Sequence, residues 1–284
     1  MSDHHHDRHD LRELLDLDAE VFASALNQVY ADIQQAAAAP IASIIDIGAG
    51  TGTGTFGLLR HFTSARAIAI AASAEMLAPL EHRAVPLGLS DRVTTRQADL
   101  DAGLPDLGQA ELEQIDLVWA SASLHHLADP DRTLTQIAGA VRPGGLVAVA
   151  ELSGLPRFVP DESPGGRAEL RAHELMAADR AVDLPTMGSD WGVRLSRAGL
   201  VVEQQRPIAF DSTRPASDPL GRYAELCLTR IRGAVADRLG PDLTAFDTLL
   251  DGGAHDVRRR SDLRVTADRS LWIARRPGDR PAQI

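Results

Sequence analysis

The sequence predicts an α/β fold with a largely parallel sheet and helices on both faces. Three observations lead there. Short apolar runs alternate with segments of helical periodicity between residues 41 and 151, and strands that alternate with helices run parallel with both faces covered. The first run breaks into a glycine-rich turn, Gly48-Ala-Gly-Thr-Gly52, leading straight into a helical pattern; glycines let a ligand approach the backbone, and helix-start N–H groups attract its negative part. The chain has 284 residues, 44 % of them hydrophobic, enough for one large domain carrying insertions.

Taken in order, residues 1–10 are polar, with His4, His5, His6 and His9 among aspartates. They read as a flexible tail, a metal site being the other reading. From Leu11 onward, Leu14, Leu15, Leu17, Val21, Phe22, Ala25, Leu26, Val29 and Ile33 recur at helical spacing, predicting one or two amphipathic helices that end near Pro40. Tyr30 lies on them, facing either a site or the core. Ile44, Ile45 and Ile47 make the first strand, which Asp46 closes, and residues 56–62 the first helix after the turn. Residues 65–71 read as a second strand, with Ser73 suited to cap the next helix. Residues 92–98 form a third strand ending at Asp99, and residues 115–120 a fourth. Asp129 before Pro130 caps a helix that runs to Val141. Arg142-Pro-Gly-Gly145 stops it and turns the chain into a fifth strand over residues 146–150.

Beyond Glu151 the rhythm changes. Residues 153–166 hold three prolines and three glycines and read as a loop. Helices are predicted over 167–182 and 190–198, the second closed by Gly199, followed by a strand over 200–205. Residues 215–239 and 243–250 read as inserted helices parted by Gly240-Pro241, before a last strand at 270–275 and a loose polar tail.

A net charge of −11 argues against nucleic-acid and anionic-membrane partners, which need clustered cations. The one basic row, Arg258-Arg259-Arg260, reads as a solvated loop or helix end. The single cysteine, Cys227, forms no internal disulfide and suits a reducing, cytoplasmic setting. Its neighbours suggest a small buried apolar residue. No apolar run reaches membrane-spanning length and no signal-peptide pattern opens the chain.

Asp46 followed by Gly48, Gly50 and Gly52 resembles motif I of the class I S-adenosylmethionine-dependent methyltransferases. A dinucleotide spacing, G-x-G-x-x-G, is also readable at Gly52, Gly54 and Gly57, but it starts too late for the turn after the strand. Three further segments look like the matching class I motifs in order and spacing: Ser73-Ala-Glu-Met-Leu77, the stretch from Asp116 to Leu127 with its Leu124-His-His-Leu127 element, and Val141-Arg-Pro-Gly-Gly145. The closest resemblance is to the small-molecule, quinone-biosynthesis-like branch.

That resemblance implies a Rossmann-like seven-stranded methyltransferase sheet, mostly parallel with an antiparallel last strand, and S-adenosyl-L-methionine as cofactor. It implies a helical cover within residues 1–40, after the flexible tail, and a methyltransferase domain over 41–284, with helical lid insertions at about 153–198 and 212–251. The Asp46–Gly52 turn, Ala49 included, would hold the amino acid end of the cofactor. Ala71 and Ala72 stand at the ribose position, with Met76 following. Asp99 would accept from the adenine amino group with Leu100 beside it, and Ala120 and Ser121 would line the sulfonium region. One departure is plain: where the family places a ribose-binding Asp or Glu, this chain has Ala71, and Glu75 is either a partial substitute or helix surface. His125 and His126, after the fourth strand, are the candidate general bases, packing or capping being the other reading. Glu151, His173, Trp191 and Tyr223 are weaker candidates for an acceptor pocket, each more simply structural. No metal site is expected. Two functions follow: methyl transfer to a small-molecule acceptor, or a methyltransferase-like binding or scaffold protein whose cofactor binding Ala71 has weakened. A nicotinamide enzyme is a distant third. The oligomeric state is not legible.

Overall fold

In the computed structural model, which describes residues 2–105, 115–213 and 219–278, nine α-helices and seven strands are formed among the described residues. In chain order they are α1 (Ser2–Val21), α2 (Ala23–Ala36), β1 (Ser43–Ile47), α3 (Thr53–His61), β2 (Arg66–Ala71), α4 (Ala74–Ala84), β3 (Val93–Gln97) and β4 (Ile115–Ser121). Then come α5 (Pro130–Ala140), β5 (Val141–Leu152), α6 (Pro164–Asp183), α7 (Trp191–Arg197), β6 (Val201–Thr213), α8 (Pro219–Val235), α9 (Leu243–Asp247) and β7 (Arg264–Arg275). The strands make one seven-stranded sheet in the order β3-β2-β1-β4-β5-β7-β6. The pairs β1–β2, β1–β4, β2–β3 and β4–β5 are parallel. The last strand, β7, runs antiparallel to β5: Gly144 N–H donates to Arg276 O, while far along the strand Ser153 N–H donates to Asp268 O. The architecture is therefore the predicted Rossmann-like α/β sheet with its reversed final strand.

The chain divides into two units. One comprises Leu26–Glu151, Gly188–Ile208 and Ser270–Ile284 and holds the sheet's apolar core. Ile45, Ile70, Val118, Ile137, Trp191 and Trp272 are among its buried members, so the central strands are apolar on both faces, as buried parallel strands must be. The other comprises Met1–Ala25, Leu152–Met187 and Ala209–Arg269. Within it α1 is tied to α8 by Arg222 on Glu13 (2.7 Å) and by the Tyr223 hydroxyl donating to Asp18 (2.6 Å). Buried Arg269 also pairs with Asp18. The insertions anticipated at about 153–198 and 212–251 overlap this second unit, with one difference: α7 belongs with the sheet, because Trp191 and Leu195 are part of its core.

Local signals place several boundaries as predicted. Asp129 caps α5, accepting from Arg132 N–H at 3.0 Å. Gly199 closes α7 in the left-handed region (φ 91°), and Leu200 N–H returns to Leu195 O at 3.1 Å. Other boundaries are corrected. Helix α1 begins at Ser2, where polar composition suggested no fixed structure; described side chains start at Asp10, so those of His4, His5, His6 and His9 lie outside them. Ser73 holds the N-cap position of α4, yet its hydroxyl makes no capping bond. Helix α6 begins at Pro164, within the expected loop, because the Ser163 hydroxyl accepts from Gly166 N–H at 2.9 Å and proline suits the first turn. Helix α8 starts at Pro219 and α9 ends at Asp247, both shorter than the periodic patterns; residues 215–218 of the first pattern lie outside the described residues.

The Arg142-Pro-Gly-Gly145 segment is the clearest correction. It belongs to β5, which starts at Val141, because the residue that continues β7 supplies partners: Gly144 N–H bonds to Arg276 O and Arg276 N–H to Gly145 O. A register shift between Ile115 and Leu117 absorbs the irregularity. Beside it, Asp116 binds three elements together. Its Oδ2 accepts from Ala42 N–H (2.8 Å) and Ser43 N–H (3.0 Å), and its Oδ1 from Arg142 Nε (2.5 Å). Asp116→Ala is therefore expected to lower stability by about 2–4 kcal/mol, since it strands two backbone donors and a guanidinium; urea unfolding of the full chain measures it, and a loss under about 1 kcal/mol contradicts the assignment.

Candidate active site at the carboxyl edge of the sheet

Strand β1 lies between β2 and β4, so connections depart to opposite sides of it and leave a crevice at the strands' carboxyl ends. Register aligns the candidate residues along that edge. Ile47 is paired with Ile70 on one side and Ala120 on the other, so Gly48, Ala71 and Ser121 follow at one level. Ala71 is in turn opposite Gln97, and Ser121 opposite Ala150.

The floor is the turn from β1 into α3. Gly48, Gly50 and Gly52 all adopt left-handed backbone, with φ of 69°, 53° and 84°. A Cβ on Gly48 would lie 2.4 Å from the Ser123 Cβ, and one on Gly52 2.5 Å from Leu80. Conformation and space thus both demand glycine there. Gly52 is also the N-cap of α3 and provides no side-chain cap, so the helix start keeps donors for a ligand's negative group. Gly54 and Gly57, which completed the dinucleotide spacing, face protein: added Cβ atoms would meet the Trp119 Nε1 at 2.8 Å and the Tyr30 ring at 2.5 Å. Tyr30 is core, packed edge-on to Trp119 with ring centroids 5.9 Å apart.

Asp46 is 2 % exposed and turned toward α3, where it accepts from the Thr55 hydroxyl at 2.5 Å. Burial pushes its pKa up to about 6, against the opposing pull of the Thr55 hydroxyl and N–H. Its direct work is to shape the turn from behind. Ala49 is buried under the turn, with its N–H on Ile70 O at 3.0 Å.

One wall comes from β2 and β3. Ala71 is buried and Ala72 exposed, and Gln97 Nε2 donates to Ala72 O at 3.1 Å. Met76 is half-buried on α4, and Glu75 is exposed. Asp99 is exposed; its Oδ1 accepts from Asp101 N–H at 3.0 Å, and Leu100 beside it is buried.

The other wall follows β4. Ala120 is buried and Ser121 half-buried. Ala122 is the one non-glycine with positive φ (49°) among the described residues, a strain of about 1–2 kcal/mol. Glu151 at the end of β5 holds this strained turn. Its Oε1 accepts from the N–H groups of Ser123 (2.8 Å) and Leu124 (2.7 Å), and its Oε2 lies 2.6 Å from His125 Nδ1. Ser123 Oγ donates to Ile47 O at 2.9 Å, joining the two loops. His125 is 3 % exposed, whereas His126 is exposed with its ring centroid 4.2 Å from that of His125. Partial desolvation of its ring, then the His125 charge, lowers the His126 pKa, while Glu151 opposes the shift.

The edge therefore gathers Gly48, Gly50, Gly52, Ala71, Ala72, Ser121 and the histidine pair. Sequence reasoning missed Thr55 and Ser123 and did not see Glu151 as the holder of His125; the acid one step past Ala150, which pairs with Ser121, was the available signal. Of the remaining acceptor-pocket candidates, Trp191 belongs to the sheet unit and Tyr223 and His173 to the other. Trp191 is fully buried in the sheet core, Tyr223 is bonded to Asp18, and His173 lies on α6. Among the described residues no group of His, Cys, Asp and Glu converges for a metal ion, and no helix is long and apolar enough to cross a membrane.

Comparison with known proteins agrees with this geometry. Residues 45–147 match the family described as a methyltransferase domain. The trans-aconitate 2-methyltransferase of an Azoarcus strain is 32 % identical over 108 residues, 38 % of each chain. The 27-O-demethylrifamycin SV methyltransferase of Amycolatopsis mediterranei is 27 % identical over 174 residues, 61 % of this chain and 58 % of that one. The chain spans less than two thirds of the curated relatives it matches. Among solved structures, the [4+2]-cyclase SpnF superposes with a TM-score of 0.52 at 19 % identity, covering 89 % of this chain and 81 % of that one. Phosphoethanolamine N-methyltransferase 2 of Haemonchus contortus, in complex with S-adenosyl-L-methionine, superposes at 0.51 and 19 % identity, covering 88 % and 52 %. These two superpositions speak for the fold alone.

The raised Asp46 pKa has a definite sign. The native state holds the proton more tightly than the unfolded chain, whose value is 3.8 against about 6 when folded. The resulting stability is full below about pH 4 and is lost as pH rises through about 6, a fall of roughly 3 kcal/mol. Asp46→Asn removes this dependence. The wild-type minus variant stability, from urea unfolding between about pH 4 and 7, should fall with rising pH; a flat difference means the carboxylate is ionised in the fold.

Proposed function

Since residues 45–147 match the methyltransferase-domain family, we propose that this chain transfers a methyl group from S-adenosyl-L-methionine to a small molecule. The observation that carries the reading is the left-handed glycine turn level with Ala71 and Ser121 at the point where strand order reverses. The turn suits an amino acid group, offering exposed backbone at Gly48 and an α3 start without a side-chain cap. Residues 48–52 would hold that end of the cofactor, Ala120 and Ser121 the sulfonium region, and Asp99 with Leu100 the adenine. When bound, the cofactor supplies a methyl group on a sulfonium that is its own leaving group. The relatives are named for trans-aconitate and a rifamycin, which favours a small-molecule acceptor.

The chain's own contribution is alignment and proton removal. His126 is the base of choice because it is exposed and its lowered pKa keeps it neutral near pH 7. His125 packs against it, and Glu151 fixes His125 through Nδ1. Glu151 is thus a positioning residue, acting through the turn and the inner histidine.

Ala71 supports the second reading, a binding protein of the same fold with weakened cofactor affinity. A carboxylate at that edge position would accept from ribose hydroxyls, and its loss corresponds to about ten- to 150-fold in affinity. Calorimetry separates the two readings. Micromolar binding of S-adenosyl-L-methionine is expected, and no heat at about 1 mM ligand overturns the enzymatic reading. Ala71→Asp should tighten binding by about tenfold or more; an unchanged constant shows the ribose is held elsewhere.

For the base, turnover is followed by S-adenosylhomocysteine release across a panel of phenols and hydroxy acids. His126→Gln should lower kcat by about 10²–10⁴ with cofactor affinity preserved. The acid limb of the wild-type kcat/KM profile should fall below pH 6.5, the ordinary histidine value. An unaltered kcat places the base elsewhere.

A further inference from the structure

The unit containing α6 carries a polar cluster that methyl transfer does not use. Glu169, His173 and Arg180 stand at i, i+4 and i+11 on α6, a single stripe of the helix. Arg157 approaches it from the preceding loop, with Nη2 donating to Gly166 O at 3.2 Å and pairing with Asp161 at 2.7 Å. The carboxylate of Glu169 is fully buried and already engaged, accepting from Phe158 N–H at 2.8 Å and Val159 N–H at 3.1 Å. Arg157 Nη2 and His173 Nε2 stop 4.0 Å and 3.9 Å from its two oxygens, beyond hydrogen-bonding distance.

Among the described residues, three buried nitrogens here have no hydrogen-bond partner: Arg157 Nε, His173 Nε2 and Arg180 Nη1. Folded proteins pair nearly all such atoms, so two on one stripe of α6 and a third from the loop before it call for an acceptor. Arg180 stands two turns beyond His173 on the same side of α6, and the charges of both arginines act on that ring. The neighbouring acids leave these three nitrogens unmet, Asp161 engaging Arg157 through Nη2. Asp179 is held by a two-toothed bridge to Arg238 (2.8 and 2.6 Å), and Asp161 is 62 % exposed. Glu169 has its pKa pushed up to about 7 by burial. Guanidinium forks match planar or tetrahedral oxyanions, with one ring N–H of His173 as a further donor.

We propose that Arg157, His173 and Arg180 form a subsite for an oxyanion, a carboxylate or phosphate group borne by a small molecule. The inference rests on this unit alone and stands apart from the methyl-transfer reading.

The test uses the full chain, with citrate and inorganic phosphate as probes and sodium chloride at matched ionic strength as control. One or both anions should raise the thermal midpoint saturably, and calorimetry should show the same constant. Whichever binds tighter identifies the group. Arg180→Met, at a half-buried position, should fold as the wild type does and bind about tenfold or more weakly. His173→Leu should lose affinity likewise, so a folding defect in one variant leaves the other informative. No saturable effect of either anion up to about 10 mM, or equal binding by wild type and both variants, overturns the proposal.

Discussion

One buried carboxylate holds the candidate site together. Glu151, 1 % exposed at the end of β5, accepts from two successive N–H groups after β4 and orients His125. Taken alone, that turn is unfavourable, because Ala122 is driven into left-handed backbone. Charge-assisted hydrogen bonds in a buried setting, at about 1.5–3 kcal/mol each, are large enough to offset the strain. These bonds accompany a loop that places Ser123 against Ile47 O and the histidine pair at the sheet edge.

The opposite side of the crevice has its own buried acid. Asp46 serves the glycine turn as Glu151 serves the histidine turn, anchoring Thr55 in the first turn of α3. It differs in environment. Burial raises the Asp46 pKa to about 6 while the Thr55 hydroxyl and N–H restrain the rise. Both acids act through backbone they hold in place, so the exposed edge is built largely of glycine, alanine and serine, which leave room for a ligand.

The superposition on both a cyclase and an N-methyltransferase shows why the reaction must be argued from side chains rather than from the sheet. Under the proposed reading the features that bear on it are His126, its support by His125 and Glu151, and the alanine at position 71. Alanine at that edge leaves the architecture intact: β2 pairs with β3, and Ala98 N–H reaches Ala71 O at 3.0 Å.

Much of the fold was legible because it is encoded locally. Strand and helix alternation, the Asp129 cap, the Gly199 stop and the three glycines needing left-handed backbone depend on periodicity and on residues a few positions apart. The order of motifs along residues 41–151 placed the edge residues for the same reason. Tertiary structure decided what depends on partners distant in the chain. Strand β7 drew Arg142–Gly145 into β5, Asp116 bound β1 to β4, and Glu151 reached back 26 residues to His125. It also turned Asp46 away from the crevice and toward Thr55, and sent Gly54 and Gly57 against Trp119 and Tyr30. Hydrogen-bond partners and burial are properties of the packed chain, and no spacing in the sequence specifies which face of a strand end a carboxylate will find occupied.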